Sequence, residues 1–426
     1  MDEFNSKEYK KSRVAYAAQC TFEYFVTLLV ADAFLAKLLT AIGMSDSMIG
    51  VISSFISFSF LFQLLSIFLI KKMKNVKKTV IIFDTISQLL FMSMYCLPFL
   101  KVDKSIKILL MIAAILLAYF FKYIITSIYF KWANSYVNPK KRGVYSSVKE
   151  MISLFCGMVF SLSVGFVIDR FEAFGNICVG FLFIALVMLA LNVFNFISIM
   201  MIKNEQNVHQ NNNIGFSNLI KNTLGNKKFQ SVIVLTSLWE IARYISIGFM
   251  GTFKTNDLMI SVGIVQVINS VASVLRLVFS VPIGKYSDKK SYAKGFELAF
   301  FIAAAGFFIN IFTTSSTWWL IAVFTVLYNV SLAGTNANTF NITYSYVKNE
   351  YIVQAMAIRS SISGVLGFLA SLLGSWILTY VQKQGNTIFG IAIYGQQILS
   401  AISFVIIVCA IIYDKCVVEK QKTMLQ

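Results

Sequence analysis

Twelve long apolar runs, divided by short charged or turn-forming breaks, constrain this chain more than any other feature. They fall at roughly 13–40, 47–70, 79–100, 106–132, 144–168, 174–202, 229–254, 258–284, 292–313, 316–341, 352–380 and 388–413. A helix needs about 20 predominantly apolar residues to cross a hydrocarbon core about 30 Å thick, and each run is long enough. A soluble domain is about 45–50% apolar and about 25% charged. Here 58% of 426 residues are hydrophobic and 13% are charged. That leaves too little polar surface to cover a water-soluble globule. In lipid every backbone polar group must be bonded internally, which makes runs of this length helices. The expected fold class is an all-α polytopic membrane protein with twelve transmembrane helices. One long hydrophilic stretch, Lys203 to Lys228, interrupts the series. It predicts an N-terminal six-helix bundle over 1–202, a cytoplasmic linker over 203–228, and a C-terminal six-helix bundle with a short cytoplasmic tail over 229–426.

The net charge of +18 is a topology signal and does not point to nucleic acid. Lysine and arginine collect before helix 1 (Lys7, Lys10, Lys11, Arg13), after helix 2 (Lys71, Lys72, Lys74, Lys77, Lys78) and after helix 4 (Lys140, Lys141, Arg142). They collect again after helices 6 and 8 and at the C-terminus, while the alternate loops hold few. The positive-inside rule then makes both termini and the linker cytoplasmic, facing an anionic leaflet. Membrane lipids are the expected partner, around a monomer.

Enzymatic chemistry is poorly provided for. The single histidine, His209, lies in the hydrophilic run Asn207–Asn211, where a solvated loop residue is expected. No Gly-x-x-x-x-Gly-Lys-Ser/Thr loop occurs, so the chain is not itself an ATP-driven pump. The six cysteines stand mostly singly in apolar runs without metal-site spacing. No metal and no cofactor are expected.

The two halves repeat. Asn134-Ser135-Tyr136-Val137 matches Tyr344-Ser345-Tyr346-Val347, and at the same offset Ile152-Ser153 matches Ile362-Ser363 and Gly157 matches Gly367. Lys149 matches Arg359 in charge, and Phe22-Glu23 aligns with Trp239-Glu240. A repeat that preserves element order is the pattern of two-lobed transporters. After helix 8 comes Gly284-Lys285-Tyr286-Ser287-Asp288-Lys289-Lys290. It resembles the signature loop of the major facilitator superfamily, although the later glycine and second basic pair are missing. The equivalent first-half loop, 69–78, keeps the bases and lacks the aspartate. Leu38 to Gly50 and Trp132 to Tyr145 are similar to other junctions of that family. The resemblance covers about 15 to 415. It implies two six-helix bundles, a central cavity lined by helices 1, 4, 7 and 10, and alternating access. It names no substrate.

Charge buried at bilayer depth is costly, so intramembrane ionisable residues are functional candidates. Glu23, Lys122, Glu240 and Arg243 sit near the middles of helices 1, 4, 7 and 7, and Arg276 in helix 8 is a partner for either glutamate. Glu23 and Glu240 are expected to carry proton coupling, with Glu240 ahead of Glu23. Asn329 and Asn338 belong to a polar stripe on helix 10 that suits either a polar solute or interhelical hydrogen bonds. Gly284, Asp288, Lys289, Arg142 and Arg359 are read as gating residues, Gly284 allowing a tight turn and Asp288 accepting from helix ends or a base. Asp84 and Glu297, each after a phenylalanine early in helices 3 and 9, are expected near the cytoplasmic face and paired with basic loops. The expected function is a proton-coupled secondary transporter of a small solute in a bacterial plasma membrane. The alternatives are a lipid or amphipath translocase, a sensor on the same fold, and, less favoured, a membrane enzyme.

Overall fold

The computed structural model describes residues 6–66, 69, 75–138, 142–204, 225–347, 352–388 and 391–420. Most of the expected linker, 205–224, lies outside the described residues, as does most of the first-half signature loop. The chain is all-α apart from a two-residue-per-strand hairpin, Thr387–Ile388 with Ile391–Ala392. Among the described residues ten helices are long and apolar enough to cross a membrane, and a bent pair makes an eleventh. That pair is α1 (Lys7–Leu29) and α2 (Asp32–Ala41), which meet at 46°. The expected uninterrupted first span is therefore broken. Asp32 takes up the bend in the left-handed region, φ 46°, which aspartate tolerates better than most residues.

The second span is segmented into α3 (Asp46–Ser53), α4 (Phe55–Ser59) and a 3₁₀ turn, Phe60–Leu64. Next come α5 (Val76–Met94), α6 (Lys104–Asn134), α7 (Arg142–Ala173) and α8 (Ile177–Met201). The nineteen residues of α5 fill the third span's place and carry Lys77, Lys78 and Asp84, which dilute its apolar character. In the second half α9 (Lys227–Tyr244) continues through 3₁₀ and π turns to Asp257. Then follow α10 (Val262–Lys289), α11 (Tyr292–Asn310), α12 (Leu320–Tyr346), α13 (Ile352–Lys383) and α14 (Gly395–Tyr413). These make up the twelve helical spans.

Polar caps at equivalent places in the repeat start several of these helices. Ser6 caps α1 and Asn226 caps α9; Asn75 caps α5 and Ser291 caps α11. Each side-chain oxygen accepts a backbone N–H that would otherwise have no intrahelical partner.

The helices pack into two compact units. The first comprises Met1–Met44, Phe62–Asn211 and Ser261–Gln266; the second comprises Ser45–Leu61, Asn212–Ile260 and Val267–Gln426. The outer part of the second span thus packs with second-half helices. Its Gly50 lies against Phe249 and Gly248, where an added Cβ would meet the Phe249 ring at 1.9 Å. Only glycine allows backbones this close. Conversely, the start of α10 belongs with the first unit. Asp169, near the end of α7, accepts from the N–H groups of Val262 and Gly263 at 2.9 and 2.7 Å. A carboxylate there matches the positive end of the α10 dipole.

The core of the first unit gathers Tyr16, Val80, Ile125, Ile128, Trp132 and Ile199 from α1, α5, α6 and α8. The repeat motifs perform the same tasks in both units. The Tyr136 carbonyl accepts from Arg13 at 3.0 Å, and the Tyr346 carbonyl accepts from Asn226 at 2.8 Å. Ser153 bonds Thr21 at 3.0 Å, and Ser363 bonds Thr236 at 3.1 Å. The serine–threonine bonds pin helix 5 to helix 1 and helix 11 to helix 7 beside the candidate glutamates.

Candidate functional site

The first unit holds a recess of about 100 Å³ lined by α1, α5 and α6, with Glu23, Asp84 and Lys122 on its wall. Lys122 Nζ lies 2.9 Å from Glu23 Oε1. Gln19 Nε2, one helical turn earlier, donates to Glu23 Oε2 at 3.0 Å. Lys122 also donates to Thr27 Oγ1 at 3.3 Å. The ammonium and carboxylate thus tie α6 to α1, and burial in lipid depends on that pairing.

Asp84 sits in the same recess, 4% exposed, with one carboxylate oxygen accepting from Asn195 Nδ2 on α8. It lies close enough to Glu23 and Lys122 to feel both charges. The expected pairing of Asp84 with basic loops is therefore not what the chain does. It lies eight residues beyond the start of α5 at Val76, roughly 12 Å at about 1.5 Å per residue, which is already well into the bilayer. Its repeat mate Glu297 does follow the expectation, 3.9 Å from Lys415 near the end of the chain.

Lys149 also faces this centre. Its Nζ stands 4.3 Å over the Tyr16 ring and 3.3 Å from Cys20 Sγ. Two carboxylates, Glu23 and Asp84, therefore meet two lysines. Two oxygens on the recess wall, Gln19 Oε1 and the Tyr129 hydroxyl, have no hydrogen-bond partner among the described residues.

The second unit has a parallel but differently charged centre. Glu240 and Arg243 are i, i+3 neighbours on α9, with Arg243 Nη1 3.6 Å from Glu240 Oε2. Arg359 on α13 acts on the same carboxylate, as Lys149 acts on Glu23 in the first unit. The Arg359 Nη2 donates to Ser360 Oγ at 3.1 Å. Tyr328 on α12 lies close enough to Arg243 and Glu240 to feel both charges. Trp239 stacks on Phe300 and on Tyr328, with centroids 5.5 and 6.4 Å apart.

Of the sequence-derived candidates, Glu23 with Lys122 and Glu240 with Arg243 and Arg359 are brought together; Arg276 lies on α10 and is not part of these pairings. Asn329 is not drawn into either centre by a hydrogen bond to another helix. Its Nδ2 bonds back to Thr325 O at 2.9 Å. Asn338 is buried against Gly295 on α11, and its Nδ2 has no hydrogen-bond partner among the described residues. Gly284 does not form the expected tight turn, because α10 runs unbroken to Lys289. Asp288 and Lys289 are exposed on its last turn. Arg142 opens α7, and its side chain lies outside the described residues. Sequence reasoning underrated Asp84 and Lys149. The signal for both was the charge itself, standing inside or beside a long apolar run.

Comparison with known proteins agrees with this architecture. The Major Facilitator Superfamily profile matches residues 232–422. The fold is similar to that of a nucleoside transporter, NupG, with TM-score 0.67 and 13% identity over 98% of this chain and 100% of that one. It is similar to an autoinhibited POT family peptide transporter, with TM-score 0.71 and 11% identity over 99% of each chain. It is also similar to a D-xylose-proton symporter, with TM-score 0.67 and 13% identity over 97% of this chain and 99% of that one. No curated protein matches the chain by sequence. The second half of this multi-pass membrane chain, residues 232–422, thus matches the Major Facilitator Superfamily by sequence, and the whole chain is similar in fold to these transporters.

Proposed function

We propose that the chain is a secondary active transporter moving a small solute across a bacterial plasma membrane by alternating access, driven by the proton gradient. Both termini and the linker face the cytoplasm in this reading, which rests on the alternating lysines. The observation that carries it is the Glu23–Lys122 ion pair in a recess that also holds Asp84. A proton arriving at Glu23 removes the charge that holds Lys122, so the tie between α1 and α6 weakens and the ammonium turns to Asp84. Loss of the proton restores the original pair. Protonation thereby selects between two side-chain arrangements at bilayer depth, which is the requirement for coupling. Glu23, with Asp84 as second carboxylate, is the proposed coupling group.

The test is uptake into proteoliposomes under an imposed pH gradient. The solute panel is built on what the structural relatives are named for: nucleosides, pentoses and small peptides. It is extended with amino acids and organic acids. At least one solute is expected to accumulate and to leak out when a protonophore is added. Lipid flipping that needs no pH gradient, with no solute accumulated, would instead establish the amphipath-translocase reading.

A further inference from the structure

We infer that the polar centre of the second unit is a subsite for an oxyanion, the carboxylate or phosphate group of the transported solute. The inference rests on the transporter reading and assigns that solute's chemical class. Its starting point is a charge imbalance. Arg243 and Arg359 are two permanently charged guanidiniums, and among the described residues Glu240 is the only carboxylate that acts on either. The first unit, with two carboxylates for two lysines, shows no such excess.

The pairing that exists is loose. Arg243 and Glu240 stand 3.6 Å apart through one nitrogen and one oxygen, outside ordinary hydrogen-bond distance. Glu240 Oε2, Arg243 Nε and Arg359 Nε are buried without a hydrogen-bond partner among the described residues. A guanidinium binds carboxylate or phosphate best through parallel Nε and Nη donors, and here the Nε half of both forks is unused. Glu240 therefore acts as a resident anion that a solute oxyanion displaces or joins. Neutral hydroxyls, as on a plain sugar, would leave the excess charge uncompensated.

The experiment is thermal unfolding of the purified full-length protein in neutral detergent, followed by tryptophan fluorescence. It compares acetate, succinate, inorganic phosphate and glycerol phosphate with chloride at matched ionic strength. At least one oxyanion is expected to raise the melting temperature saturably above chloride. Arg359→Gln should weaken that midpoint at least tenfold, while Lys383→Gln, which removes an exposed cation from the same helix, should leave it unchanged. Glu240→Gln should tighten it several-fold by removing the internal competitor, a gain that misfolding cannot imitate. No saturable shift with any oxyanion, or an equal shift in Arg359→Gln, overturns the inference. Stabilisation by phosphatidylglycerol micelles alone overturns it too, because the centre would then hold a lipid headgroup. These readouts need no gradient. A failure of proton-driven uptake alone would leave them standing and would count against the coupling reading instead.

Discussion

The two units place one glutamate of the repeat at equivalent points and surround it with different charges. Glu23 is held tightly, by Lys122 at 2.9 Å and Gln19 at 3.0 Å, in a recess where acids and bases balance. Glu240 is held loosely, with Arg243 at 3.6 Å and Arg359 close enough to act on the same charge. Duplicated scaffold features were kept, as the Ser153–Thr21 and Ser363–Thr236 bonds show. The charges beside them diverged. A balanced centre that one proton unbalances suits coupling; a centre with surplus guanidinium suits capture of a negative group. The repeat therefore supplies position, and the charge count supplies role.

The largest expected effect separates the two glutamates directly. Glu23→Gln keeps size and hydrogen bonding but cannot be ionised. It should lower pH-gradient-driven accumulation in proteoliposomes at least tenfold while counterflow exchange persists. Glu240→Gln should still accumulate solute against its gradient, with altered affinity. If Glu240→Gln loses driven accumulation and Glu23→Gln keeps it, the division of labour is reversed and coupling belongs to the second unit.

A second, smaller contrast concerns the cations. Lys122→Gln leaves Glu23 and Asp84 with Lys149 alone, and removing one partner of a buried pair costs about 3 kcal/mol or more. Arg243→Gln leaves Glu240 with Arg359, so a guanidinium still faces the buried carboxylate and the cost should be smaller than for Lys122→Gln. Denaturation of the two variants in the same detergent measures the difference. Equal losses would mean that the second centre is held as tightly as the first, contrary to its 3.6 Å separation.

Much of this is legible in the sequence, for a physical reason. The bilayer demands long apolar runs, so the runs give the helices, and any charge within them stands out. Glu23, Lys122, Glu240 and Arg243 are visible in that way, and so are the repeat positions Ser153 and Ser363. What a one-dimensional pattern lacks is the face of the helix and the neighbour across from it. Asp84 reads as a residue near the membrane surface because α5 starts with two lysines, but it points into the recess and takes Asn195 from α8. Lys149 reads as the charge match of Arg359 near a helix start, yet its side chain reaches back to Tyr16 and Cys20. Gly284 suggests a turn because the family's loop has one, whereas the local residues continue the helix to Lys289. The bend at Asp32 has no proline or glycine to announce it.

The smallest expected effect tests whether the retained scaffold is equally important in both units. Ser363 Oγ lies within hydrogen-bond distance of two hydroxyls, Thr236 at 3.1 Å and Ser237 at 3.3 Å. Ser153 reaches one, Thr21 at 3.0 Å, and Thr21 also bonds its own helix through Ala17 O at 3.0 Å. Interhelical hydrogen bonds within membranes average only about 0.6 kcal/mol, because the separated helices find other partners. Ser153→Ala should therefore cost about 0.6 kcal/mol, and Ser363→Ala about 1 kcal/mol, since it removes the shared partner of two hydroxyls. Paired unfolding measurements on the two variants and their double mutant resolve this, with the costs adding because the sites share no partner. A larger loss for Ser153→Ala would show that the first unit depends more on this joint. The tight Glu23–Lys122 pair would then be a consequence of a stiffer scaffold as well as of its own charges.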